Sequence, residues 1–166
     1  HRQRHRQPLA LLRQVRQLQP PPVFVAVLGD LTQNGTAAEH QAYLGLVDEL
    51  PVPVVSLMGN HELTVPEGRD LFRQIYGPED FVFEHAGCRF VGLMDIIPRH
   101  NGLTDAQIAL LEAQLVAPGT GDGFVLIHAP PPALPPPWGA PPFFNADRFQ
   151  QVIEAAGVRL VATGHI

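Results

Sequence analysis

The chain has 166 residues, 45% hydrophobic and 16% charged, with a net charge of −5, so it is long and apolar enough for one domain with its own core. The acidic balance argues against a broad nucleic-acid face, no apolar run approaches membrane length, and a single cysteine, Cys88, excludes an internal disulfide. All 11 basic residues are Arg, which excludes a Walker-type phosphate loop and a Schiff-base lysine, and the only serine, Ser56, lies in an apolar run rather than a G-x-S-x-G turn.

Residues 8–18 have helical apolar spacing and are stopped by Pro20, Pro21 and Pro22. The basic stretch from His1 to Arg6 reads as the exposed start of that helix. Val23 to Leu28 predicts a buried strand that runs into Gly29-Asp30. Thr36 and Glu39 form a capping box that opens a helix to about Leu50. After Pro51 and Pro53, a second strand, Val54 to Met58, runs into Gly59-Asn60-His61-Glu62. A short helix is expected from Arg69 to Tyr76, ended by Gly77-Pro78. Phe81 to His85 and Arg89 to Met94 flank Ala86-Gly87 and predict a hairpin, with Cys88 as a small hairpin residue.

Thr104 and Gln107 repeat the capping-box pattern before a helix from Asp105 to Leu115. Gly119, Gly121 and Gly123 mark a turn that leads into a strand rather than a helix, which excludes a dinucleotide loop. The strand from Gly123 to Ile127 ends at His128. Pro130 to Pro142, with Trp138, Phe143 and Phe144, reads as a loop walling one side of a site. Asp147 to Ala156 predicts a helix closed by Gly157, and a last apolar run, Arg159 to Gly164, leads to His165. Strands alternating with helices argue for an α/β fold.

Four strand ends thus deliver Asp30, Asn60, His128 and His165 to one edge, the place where open α/β sheets bind ligands. A carboxylate, an amide oxygen and two imidazoles suit Mn, Fe or Zn. Each residue alone has an ordinary role: Asp30 as a turn or N-cap residue, Asn60 in a left-handed turn, a histidine as a satisfied strand-end group. Their coincidence at four successive strand ends favours ligation.

The ordered set Gly29-Asp30, Gly59-Asn60-His61-Glu62, His128-Ala-Pro-Pro131 and Gly164-His165 resembles the calcineurin-like metallophosphoesterase superfamily, whose pattern is D-x-H, G-D-x-x, G-N-H-[DE], a lone H, then G-H-x-H. The connecting segments, Phe90-Val-Gly-Leu-Met-Asp95 and the helix from Leu103 to Leu115, resemble its cyclic-nucleotide and glycerophosphodiester phosphodiesterase branch. The match runs from about Val23 to Ile166. The resemblance implies a two-sheet β-sandwich flanked by helices, in αββα order, with residues 1–166 as a single domain. That domain is expected to be incomplete at both ends, since the D-x-H would fall before His1 and the last His after Ile166.

The resemblance further implies two divalent ions (Mn, Fe or Zn), with Asp30 bridging them and Asn60, His128 and His165 completing the second-metal site. A bridging hydroxide would attack phosphorus, and His61 would protonate the leaving oxygen, with no covalent enzyme intermediate. Ala129 stands where many relatives carry a second His. Protein phosphatases of the superfamily clamp a monoester with an Arg after the G-D motif; Leu31 to Gly35 has none, which favours a phosphodiester. Arg99 and His100, in the loop before Gly102, are candidate substrate contacts. The expected protein is a cytoplasmic phosphodiesterase for a small-molecule substrate. The alternatives are a non-catalytic protein-interaction scaffold on the same fold, or a nuclease or pyrophosphohydrolase of the same superfamily.

Overall fold

The computed structural model describes residues 14–97, 100–116, 121–131 and 143–165. In these, the apolar runs form β1 (Val25–Val27), β2 (Val54–Ser56), β3 (Phe81–His85), β4 (Cys88–Gly92), β5 (Ile96–Ile97), β6 (His100–Gly102), β7 (Gly123–Leu126), β8 (Phe143–Phe144) and β9 (Leu160–Ala162). The helices are α1 (Ala37–Val47), α2 (Gly68–Tyr76), α3 (Asp105–Leu115) and α4 (Ala146–Ala155). Both expected capping boxes form: Thr36 and Glu39 close the start of α1, and Thr104 and Gln107 that of α3. The β3–β4 turn has positive φ at both Ala86 (50°) and Gly87 (78°), the primed geometry that matches the twist of paired strands.

β1 and β2 pair in parallel, with Val25 opposite Val54. A four-stranded sheet runs β3-β4-β7-β9, with an antiparallel β3–β4 hairpin and parallel pairs β4–β7 and β7–β9. A small third sheet joins β5, β6 and β8. The sequence reading leaves this third sheet as loop, and here His100 lies on a strand.

Alternation along β4 and β7 sorts the two faces of the larger sheet. Val91 and Val125 point to a core with Ile108, Leu111 and Leu115 of α3 and Phe149 and Val152 of α4. Phe90 and Phe124 point the other way and stack at 4.8 Å, with Phe83 stacked on Phe90 at the same spacing. Phe24, just before β1, meets Phe90 and Phe83 edge-on at 5.1 and 5.3 Å, so the β1–β2 ladder packs over this aromatic layer. Behind β2, Tyr43 of α1 hydrogen-bonds Ser56 at 2.7 Å. The order is helix, sheet, sheet, helix, and the α/β expectation holds.

A second cluster of Met58, Phe72, Met94, Ile96 and Ala129 seats α2 beside the loop ends. Residues 14–17 are helical and Leu18 is not; residues 8–13 of the first expected helix, Arg99, and residues 132–142 of the Pro-rich wall with Trp138 lie outside the described residues, while Phe143 and Phe144 of that wall form β8 rather than loop. Among the described residues, no helix is long and apolar enough to cross a membrane.

Candidate metal centre

Parallel pairing sends β1 with β2, and β7 with β9, toward loops at a common end. Just past these strands lie Asp30, Asn60, His128 and His165. One ligand atom each from Asp30, His128 and His165 falls within 4.8 Å of the others. The centre of the group is His128, 1% exposed. Its Nε2 lies 2.9 Å from His165 Nδ1, 3.1 Å from Asn60 Oδ1 and 3.4 Å from Asp30 Oδ1.

The tautomer follows from the other side of the ring. His128 Nδ1 is 2.6 Å from the Leu28 carbonyl, so Nδ1–H donates there and Nε2 presents a lone pair. A proton on His165 Nδ1 would satisfy one contact, but Asn60 Oδ1 and Asp30 Oδ1 would still face Nε2 as acceptors. Burial, followed by the neighbouring His128, pulls the His165 imidazole below its ordinary value, against the raising effect of Asp30. A neutral His165 adds another lone pair. This set of electron-rich atoms around one point is what a divalent cation requires, and its chemistry fits Mn, Fe or Zn.

Close approach explains two of the glycines. A Cβ on Gly29 would lie 2.3 Å from His128 Nδ1, and one on Gly59 would lie 2.3 Å from Asp30 Oδ1. Asp30 and His165 themselves hold positive φ, 55° and 57°. Asp and His tolerate this region better than most residues, but it costs on the order of 1–3 kcal/mol and is typical of functional sites.

Two buried carboxylates support these loops, in roles that the sequence reading does not assign to them. Glu62 is fully buried and accepts from the backbone N–H groups of Gly59 at 2.7 Å and Asp30 at 3.0 Å. Asp95, also fully buried, accepts from the N–H groups of His128 at 2.9 Å and Ala129 at 2.7 Å. Burial raises its pKa to about 6, even though those two N–H groups favour the charged form. The signal for Asp95 was present, since it ends the apolar run Phe90 to Met94 as Asp30 ends the run from Val23.

His61 opens a short 3₁₀ turn, His61–Leu63, beside these residues. Its backbone N–H donates to Asp30 Oδ1 at 3.1 Å, and its ring Nδ1 lies 2.6 Å from the Gln33 carbonyl. The shorter contact to the carbonyl assigns the proton to Nδ1, so the Gln33 side-chain amide, 3.1 Å from the same nitrogen, faces it with its oxygen, and Nε2 is left as the working nitrogen. Glu62, next in sequence, turns inward to the loops and does not pair with His61. His100 is exposed on β6 and lines a 460 Å³ cavity with Phe143, Phe144 and Arg148.

Over 123 residues the chain is 29% identical to the probable glycerophosphodiester phosphodiesterase GpdQ of Arcobacter nitrofigilis. That alignment takes in 70% of this chain and 45% of the relative, so the chain spans less than half of that protein's length. The model of the calcineurin-like phosphoesterase family matches residues 1–166. With its α/β layers and its strand-end motifs in order, the chain belongs to the calcineurin-like phosphoesterase family, whose members generally use divalent metal ions.

Proposed function

We propose that the protein is a metal-dependent phosphodiesterase acting on a small-molecule diester. The observation that carries this reading is the convergence of Asp30, Asn60 and His165 on the bare Nε2 of buried His128. These four residues would hold one ion, and Asp30 would share a second. When bound, the ions supply a Lewis acid that activates water and neutralises charge on the phosphoryl oxygens.

The chain's own residues do the rest. His61, held through Nδ1–H and its backbone N–H, would act as the imidazolium: its Nε2 proton passes to the leaving oxygen as the P–O bond breaks, leaving the neutral Nδ1–H ring. The loop from Leu31 to Gly35 offers no Arg to clamp a dianionic monoester, which favours the monoanionic diester. The similarity to a probable glycerophosphodiester phosphodiesterase supports the same substrate class.

The test compares bis(p-nitrophenyl) phosphate, p-nitrophenyl phosphate and an alkyl glycerophosphodiester, with Mn and with chelator. Diester preference that disappears with chelator supports the proposal. His61→Ala is expected to cut turnover about 10²–10⁴-fold at unchanged metal content. The loss should be larger on the alkyl diester, because nitrophenolate departs without a proton. Monoester preference would sink the diester reading, and unchanged turnover would remove His61 as the acid.

A further inference from the structure

Glu62 is wholly buried, and among the described residues no Arg pairs with it. All of its hydrogen-bonding capacity is turned on two loops. Oε2 takes the N–H groups of Gly59 and Asp30, at 2.7 and 3.0 Å. Oε1 takes the N–H and the hydroxyl of Thr32, both at 2.9 Å. One carboxylate thus joins the loop after β1 to the loop after β2, through charge-assisted bonds with buried donors.

The place of these bonds matters more than their number. Asp30 is the ligand with a left-handed backbone, and its own N–H is one of the four donors. Gly59 immediately precedes Asn60, and its Cα packs where any side chain would strike Asp30. An inward Glu62 and an outward His61 share one short turn, so the grip on the loops also sets the base of the His61 ring.

We propose that Glu62 is a positioning residue of the metal centre. It holds Asp30 in its left-handed conformation and fixes the spacing between Asp30 and Asn60, so the donor set is assembled before an ion arrives. This rests on the reading of Asp30, Asn60, His128 and His165 as metal ligands.

Glu62→Gln keeps the side-chain length but turns an NH₂ group toward N–H donors. Its Mn affinity, measured by titration calorimetry, is expected to fall about 10–100-fold, while far-UV circular dichroism stays native. At saturating Mn, the electron paramagnetic resonance line shape of the bound ion should also change, as the Asp30 geometry relaxes. Thr32→Val removes one of the four bonds but leaves Asp30 and Gly59 held, and should cost much less. If Glu62→Gln fails to fold, Glu62→Asp, too short to span both loops, carries the test.

A folded Glu62 variant with wild-type Mn affinity and line shape would overturn the proposal while leaving the metal centre standing. Wild-type protein that binds no Mn would overturn both.

Discussion

The β4–β7 sheet buries Val91, Val125 and Ile127 against Ile108, Leu111 and Phe149, each at no more than 1% exposure. Just past the ends of these strands and of β2, buried positions are held by polar groups: His128, Asp95 and Glu62. The first region is secured by apolar area and interdigitation, which tolerate any well-fitting hydrophobe. The second is secured by directed hydrogen bonds, glycine contacts and two left-handed non-glycine residues, which tolerate almost no change in position. A rigid apolar face makes it possible to carry a strained polar edge. Damage to the face should therefore register as lost stability, and damage to the edge as lost metal affinity and rate.

The sharpest separation is expected from Asp30→Ala. On the proposed reading, in which Asp30 is shared by two ions, its loss should release both together and cut hydrolysis about 10³-fold, because several kcal/mol of charge stabilisation go with the ions. The melting temperature of the chelated protein should fall only modestly, by the cost of Ala rather than Asp at a left-handed φ and of the lost bond to His61 N–H. Retention of one tightly held ion would argue against a bridging Asp30, and a collapsed fold would break the division between face and edge.

Leu111→Ala is the converse. A cavity under α3 should cost about 2–5 kcal/mol in urea unfolding, with Mn affinity of the folded protein unchanged. Weakened Mn binding would mean that the core tunes the edge directly.

Asp95 belongs to the polar edge, and pH isolates its contribution to stability. Its folded-state pKa of about 6 lies above the ordinary 3.8, so the folded chain prefers the protonated form. The stability it contributes is fully present below about pH 4 and is lost as pH rises through 6, a change of roughly 3 kcal/mol. Urea midpoints of the chelated protein from pH 4 to 7 should show this slope, and Asp95→Asn should flatten it. An equal slope in the variant would remove Asp95 as its source.

The smallest effect lies at the β3–β4 turn, at the edge of the sheet and outside both the core and the polar edge. Ala86 occupies a left-handed turn position that asparagine accepts more easily, so Ala86→Asn should add roughly 0.5–1 kcal/mol without touching activity. A loss of stability there would contradict the turn geometry.

Much of this contrast is legible in the sequence. The runs before Asp30, Asn60 and His128 are short, apolar and followed by a ligand type, and the capping boxes at Thr36 and Thr104 mark helix starts directly. Other parts have no pattern to read. A carboxylate that binds backbone N–H groups looks the same in sequence as a solvated one, so Glu62 shows no inward role until the loops are folded. The strands β5, β6 and β8 are too short for a period of two, and Arg99-His100-Asn101 has a turn composition. His100 is consequently expected in a loop; its strand arises from pairing with Ile97, while Asn101 and Gly102 pair with Phe143 and Phe144, far away in sequence.

The most direct test of the metal edge is an anomalous-difference map from crystals grown with Mn. The predicted result is a strong peak in bonding contact with Asp30 and Asn60 oxygens, His128 Nε2 and a His165 nitrogen. A map with Mn bound elsewhere, and these four side chains touching only one another, would contradict it.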